Sequence, residues 1–156
     1  MDVRSDSDWM REALKEARAA FEEGEVPVGA VIVDDGRLVG RGHNGIESLK
    51  DATAHAEIIA IGAASSARGD WRLDGATLYV TVEPCMMCLG AVYLARVSRV
   101  VFGARDRRAG ACGGAVPLAG GGYMDRGVAV EGGVLEAECQ ALLLEFFSKL
   151  RQADKV

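Results

Sequence analysis

The run Thr77-Leu78-Tyr79-Val80-Thr81-Val82 passes straight into Glu83-Pro84-Cys85-Met86-Met87-Cys88, and this junction constrains the fold more than any other stretch. Its first six residues are β-branched, aromatic or aliphatic, which suits a buried strand. Pro84 suits the first turn of a helix, and the helix that follows, 85–95, contains no charged residue. A helix without a polar face has to be covered on nearly every side, by its own sheet or by a second subunit. A further apolar run at 97–104 then gives strand, helix, strand, the unit of an α/β domain.

The flanking segments extend that pattern. Residues 8–23 form an amphipathic helix with Trp9, Leu14, Ala17 and Phe21 on one side, Asp6 or Ser7 as its cap and Gly24 as its stop. Residues 28–33 and 37–42 read as an antiparallel pair turned at Asp35-Gly36. Thr53 or Asp51 can cap a helix over 54–66. Residues 110–122 hold six glycines and no apolar period, which fits either a loop that approaches a ligand or a flexible connector. A short strand at 128–130 and a helix at 135–150 complete the chain; Leu135, Cys139, Leu142, Leu143, Phe146, Phe147 and Leu150 form that helix's apolar stripe. The 156 residues predict a single domain, with helices on both faces of a mixed sheet whose strand order the sequence leaves open.

Hydrophobic residues at 49% and charged residues at 26% exclude a disordered or fibrous chain. The acidic start and the lack of a long apolar run predict a cytoplasmic protein with no membrane span. Without an export signal, the four cysteines point to metal or redox chemistry before disulfides, and Cys112 and Cys139 are expected as free thiols. A net charge of −5 argues against a broad, sequence-blind grip on nucleic acid. Between positions 96 and 126, however, six arginines (96, 99, 105, 107, 108, 126) face only Asp106 and Asp125, so either a basic patch or an ordinary solvated face is available.

Cys85 and Cys88 are three apart in one helical turn, so both thiols face the same way, and helix-end amides favour their thiolates. His55, which opens another helix, can supply a third, neutral nitrogen ligand. Three protein ligands leave a tetrahedral zinc one open position, where water is acidified. Glu57 is the candidate proton carrier, provided that it sits in the first turn and reaches back towards His55. Taken singly, Cys-x-x-Cys also fits a redox pair or a structural zinc knuckle. His-x-Glu together with Pro-Cys-x-x-Cys is the signature of zinc nucleobase deaminases. His43 is not expected as a ligand, because a fourth protein donor would close the open position.

With Trp9-Met10-Arg11, Glu25-Val26-Pro27-Val28-Gly29-Ala30-Val31, Thr53-Ala54-His55-Ala56-Glu57, Leu78-Tyr79-Val80-Thr81, Glu83-Pro84-Cys85 and Phe102-Gly103-Ala104-Arg105-Asp106, the chain resembles the bacterial tRNA-specific adenosine deaminases along nearly its whole length. The resemblance implies a cytidine deaminase-like three-layer α/β/α sandwich around a mixed five-stranded sheet. It also implies one Zn2+ per chain, a homodimer, and conversion of the wobble adenosine of an arginine tRNA to inosine. By the same resemblance Asn44 hydrogen-bonds the flipped base, Asp106 holds the sugar edge and Val28 forms pocket wall. Arg105, Arg107 and Arg108, which flank Asp106, are the candidate RNA contacts. The chain departs from the family pattern at Ala52, at Gly113-Gly114 and in its tail after Phe147, which is Ser148-Lys149-Leu150-Arg151 with few further cations. Two other readings stand beside this one: a deaminase of a free base or nucleoside, and a zinc-stapled RNA-binding module without catalysis.

Overall fold

A computed structural model describes residues 3–120 and 127–154. Strands β1 (Gly29–Asp34) and β2 (Arg37–His43) pair antiparallel. Asp35 and Gly36 between them both have positive φ (49° and 70°), as a two-residue hairpin turn requires. β1 also pairs antiparallel with β3 (Thr77–Val82), and β3 then runs parallel to β4 (Arg99–Ala104), which runs parallel to β5 (Ala129–Glu131). The order β2-β1-β3-β4-β5 is the mixed five-stranded sheet expected.

Strand periodicity divides the core in two. Ala30, Ile32, Leu78, Val80, Val100 and Phe102 turn to one face, where they meet Ala56, Ala60 and Ala64 of α3 (Ala56–Arg68) and Val92 of α4 (Met86–Leu94). Val31, Val33, Tyr79 and Val101 turn to the other, against Trp9, Met10 and Ala13 of α1 (Asp6–Glu22) and Cys139 of α5 (Glu136–Ala153). Helices on both faces make the three-layer α/β/α sandwich. α3 lies unusually close to the sheet: a Cβ on Gly42 would come within 2.6 Å of Ala60 N and 2.9 Å of Ile59 Cβ. The small residues of β2 and α3 thus set the depth at which the helix, and the chemistry at its start, is seated.

Several local expectations are corrected. The cap of α1 is Ser5, in a reciprocal box with Asp8, rather than Asp6 or Ser7. Its buried stripe is Trp9, Met10, Ala13, Ala17 and Ala20, with Leu14 only partly buried, because Gly29 lets α1 lie on the sheet through its alanines. α3 starts at Ala56, two residues after the predicted position, and neither Thr53 nor Asp51 caps it; Asp51 instead accepts from Thr53 in a turn of its own. In α5 only Cys139 and Leu142 are buried, and Phe147 and Leu150 are exposed, because the second half of the helix runs past the sheet towards α1, where Phe146 stacks edge-on against Phe21. A short helix, α2 (Ile46–Leu49), was not predicted. The buried Glu25 carboxylate, distant in sequence, binds the amides of Glu47 and Ser48 at its start.

Candidate active site

β3 and α3 deliver the site. β3 ends at Val82, and after Glu83 and Pro84 the chain reaches Cys85, the residue before the first turn of α4, with Cys88 inside that turn. α3 opens beside it from His55. The amide of Ala56 donates to Asn44 Oδ1 at 3.0 Å, so the helix is capped from the end of the β1-β2 hairpin. This bond fixes His55 and Glu57 relative to the sheet.

His55 Nδ1 lies 3.6 Å from Cys85 Sγ and 3.4 Å from Cys88 Sγ, and one donor atom from each of the three falls within 4.8 Å of the others. Zinc bound tetrahedrally, at about 2.0–2.1 Å from nitrogen and 2.3 Å from sulfur, separates N from S by roughly 3.6 Å. The donor set therefore fits that ion with little movement. The hydrogen bond from the Cys88 thiol, with the backbone amides of Met87 and Cys88, holds the Cys85 thiol down to about 5. Cys88 is pushed up, first by the proton it gives to Cys85 and then by burial.

Glu57 is 4% exposed. Burial pushes its carboxyl up to about 7, opposed by a hydrogen bond from its own backbone N–H. Glu57 lies in the first turn of α3, and its carboxyl feels the charges of Cys85 and His55 and the Cys88 thiol, which sets it beside the three donors. His55, the residue before α3, and Glu57, in its first turn, are thus two apart at the same helix start. His43 is elsewhere: its two ring nitrogens meet Glu16 at 3.0 Å and Glu23 at 3.1 Å, joining β2 to α1.

The remaining candidates fall into two groups. Val28 and Asn44 are neighbours, Asn44 N donating to Val28 O at 3.1 Å, and both lie at the hairpin end beside α3. Asp106 does not pair with the arginines next to it. Its Oδ1 accepts from the amides of Arg108 (2.9 Å) and Ala109 (3.1 Å), closing a turn from which Arg107 and Arg108 project into solvent. Arg105 lies 3.8 Å from Glu83 and over the Phe102 ring.

The basic segment is narrower than its composition suggested. Arg99 is held by Asp6 and Glu131, Arg96 lies over Trp71, and Arg126 is outside the described residues, as are Gly121, Gly122 and Asp125 of the glycine-rich and basic stretch. Cys112 and Cys139 are free thiols, as expected. Sequence reasoning gave no role to Glu83, a fully buried carboxylate beside the site. The signal it left was an acid directly before Pro84-Cys85, with paired glycines following at 113 and 114.

A family model of the cytidine and deoxycytidylate deaminase zinc-binding region matches residues 3–104, which include β3, α3, α4 and all three metal donors. The chain belongs to this zinc-binding deaminase family, and zinc is its cofactor. The tRNA-specific adenosine deaminase of Bacillus subtilis is 49% identical over 153 residues, spanning 98% of this chain and 95% of its own. Within the family, then, the chain is one of the tRNA-specific adenosine deaminases. A structure solved in studies of A-to-I editing by tRNA:A34 deaminases superimposes with a TM-score of 0.83 at 44% identity, over 86% of this chain and 98% of that one. The guanine deaminase of Nitrosomonas europaea superimposes with a TM-score of 0.81 at 27% identity, over 94% of this chain and 86% of that one. The fold is shared with enzymes of free bases, whereas the higher identity lies with the tRNA enzymes.

Proposed function

We propose that the chain, acting as one deaminase domain over residues 1–156, hydrolyses adenosine to inosine at the wobble position of a tRNA anticodon in the cytoplasm. The observation that carries the reading is a buried carboxyl, Glu57, at the helix start beside a His-Cys-Cys donor set. A structural zinc takes four protein ligands and has no use for an unliganded acid beside it. His55, Cys85 and Cys88 hold the ion, which when bound supplies a Lewis acid that makes water nucleophilic near neutral pH.

Glu57 accepts a proton from the attacking water and delivers it to N1 of the purine as the water oxygen bonds to C6. It then carries the second water proton to the amino nitrogen. The C6–N bond breaks, ammonia leaves with the bonding pair, and the 6-keto base remains. With Asn44 Oδ1 accepting from Ala56 N, its Nδ2 group supplies the donors that suit the acceptor nitrogens of an extruded purine. Val28 forms wall beside it, and Asp106 holds the sugar edge. An unpaired anticodon loop makes the extrusion inexpensive.

The test is a substrate panel: an anticodon stem-loop with A at the wobble position beside free adenine, adenosine, guanine, cytosine and cytidine. Inosine is expected in the stem-loop and turnover is expected nowhere else. Fast release of ammonia from guanine, with none from the stem-loop, would place the chain with the free-base enzymes.

Arg105, Arg107 and Arg108 are the proposed phosphate contacts; Arg105 also faces Glu83, and the last two project into solvent. Replacing both Arg107 and Arg108 by Ala is expected to flatten the slope of log affinity against log salt by about 1.4, at roughly 0.7 for each single-strand phosphate contact. Zinc content should stay the same, and an unchanged slope would remove them from the interface.

The homodimer is part of the same proposal. Met86 and Leu94 on the charge-free helix α4 are 64% and 60% exposed, and Trp71, in the loop after α3, is 53% exposed. Ile58, Ile61, Trp71, Ala91 and Leu94 line an apolar groove of about 340 Å³. A face of this kind, beginning one residue after Cys85, suits a second copy of the chain. Light scattering at micromolar concentration should give twice the 16.5 kDa chain mass, and Leu94→Glu should give the monomer.

A further inference from the structure

Glu83 stands where β3 has just ended, and its backbone N–H continues the parallel pairing by donating to Ala104 O at 2.8 Å. Its side chain has no exposed surface. Oε1 accepts from Asp106 N at 3.0 Å, and Oε2 accepts from Cys112 N at 2.9 Å and Gly114 N at 2.8 Å. One buried carboxylate thus gathers three backbone amides from two separated points of the 105–114 segment, with the Arg105 guanidinium 3.8 Å away. Such charge-assisted bonds are the strong kind, and their loss in a buried place leaves donors without partners.

A second, independent feature points to the same arrangement. A Cβ on Gly110 would run into the Glu83 carboxyl carbon and oxygen, and one on Gly114 would run into Glu83 Oε1 and Asp106 O. Both positions are glycine where the loop has to close around that carboxylate. The segment is also tied to the metal side: Ala111 N donates to Pro84 O at 2.8 Å, and Gly110 forms a β-bridge with Cys85.

We infer that Glu83 is a positioning residue, which fixes the arginine-bearing 105–108 turn at a set place beside Cys85 and so governs how the RNA strand is held relative to the reacting base. The inference rests on the proposed tRNA reading. The carboxylate can serve both ends of the loop because each of its oxygens accepts. An amide cannot: with its oxygen turned to Cys112 and Gly114, its NH2 confronts the N–H of Asp106. Glu83→Gln therefore releases the 105–108 turn while keeping size and most of the packing. Gly114→Ala disturbs the same turn from the opposite side with Glu83 intact, by pressing on the carboxylate and on Asp106 O.

Both variants, loaded with zinc, are to be compared with the wild type on the stem-loop for KM, kcat, zinc per chain and RNA affinity by fluorescence anisotropy. Each is expected to raise KM by about 10-fold, with kcat within about 3-fold and zinc unchanged, since the lost interaction is one of binding geometry. A KM within twofold of wild type in both variants, or a loss confined to kcat or to zinc, would overturn the inference. Wild-type protein that binds the stem-loop without deaminating it would defeat the proposed reaction instead. The anisotropy arm would then decide Glu83 alone, with unweakened RNA binding in both variants counting against it. Wild-type protein that does not bind the stem-loop at all would overturn both.

Discussion

Glu57→Ala is expected to keep one zinc per chain and the native fold while losing at least about 100-fold in kcat on the stem-loop, the scale of a general acid-base residue. The ligand set does not include the Glu57 carboxyl, so metal binding should survive its removal. Stability should survive as well. The buried carboxyl is desolvated, and burial is the largest influence on it, so truncation removes an expensive group as well as filling. Glu57→Gln sharpens the comparison. It keeps the shape and the hydrogen bond from the backbone amide, but it cannot accept and return a proton, and it should be as slow as the alanine variant. Zinc per chain, thermal stability and single-turnover rate together decide the matter. A variant with full zinc and a rate within a few-fold of wild type would take Glu57 out of the reaction. A variant without zinc would make it a structural support of the metal site.

The parts of this site that were legible in the sequence are those fixed by short-range periodicity. Cys85 and Cys88 are placed together by their spacing of three at a helix start, although Cys85 is the extended residue before the first turn, and the apolar run 77–82 is the strand its composition predicts. The sandwich followed from the alternation of strand and helix. What was hidden depends on residues brought together from a distance. Asn44 caps α3 across twelve positions of chain, and no local rule distinguishes it from Thr53 or Asp51. Glu83 reads as one more acid until the 105–114 segment folds over it, and Glu25 likewise until α2 meets it. The stripe of α1 was misjudged because a helix resting on Gly29 buries small alanines in preference to larger residues that reach past the contact. Arg99 counted towards a basic patch by composition, yet its charge is spent on Asp6 and Glu131. Charge counts cannot tell an arginine that faces RNA from one that ties a helix to a strand edge.

Cys85→Ala and Cys88→Ala should each reduce zinc to well under one per chain and lower thermal stability together with activity. Both effects have one origin. The proposed ligands stand at the starts of α3 and α4, so binding energy there would also be folding energy. If zinc is normally present at about 1,000 times its dissociation constant, its loss removes about 4 kcal/mol. For a domain of this size that lowers Tm by roughly 8–16 °C, at about 2–4 °C per kcal/mol. Cys88→Ala should be the more damaging, because Cys88 is fully buried and its removal also leaves a cavity, whereas Cys85 is half-buried. A chelator should bring wild-type protein down to the stability of Cys85→Ala and leave that variant unaffected, which separates loss of metal from loss of packing. Cys112→Ser is the control. Its thiol lies near Glu83 and is pushed up to about 11 by burial, but it is outside the donor set, so this variant should keep its zinc and its response to chelator. Full zinc in both Cys85→Ala and Cys88→Ala, or zinc lost only in Cys112→Ser, would overturn the ligand assignment.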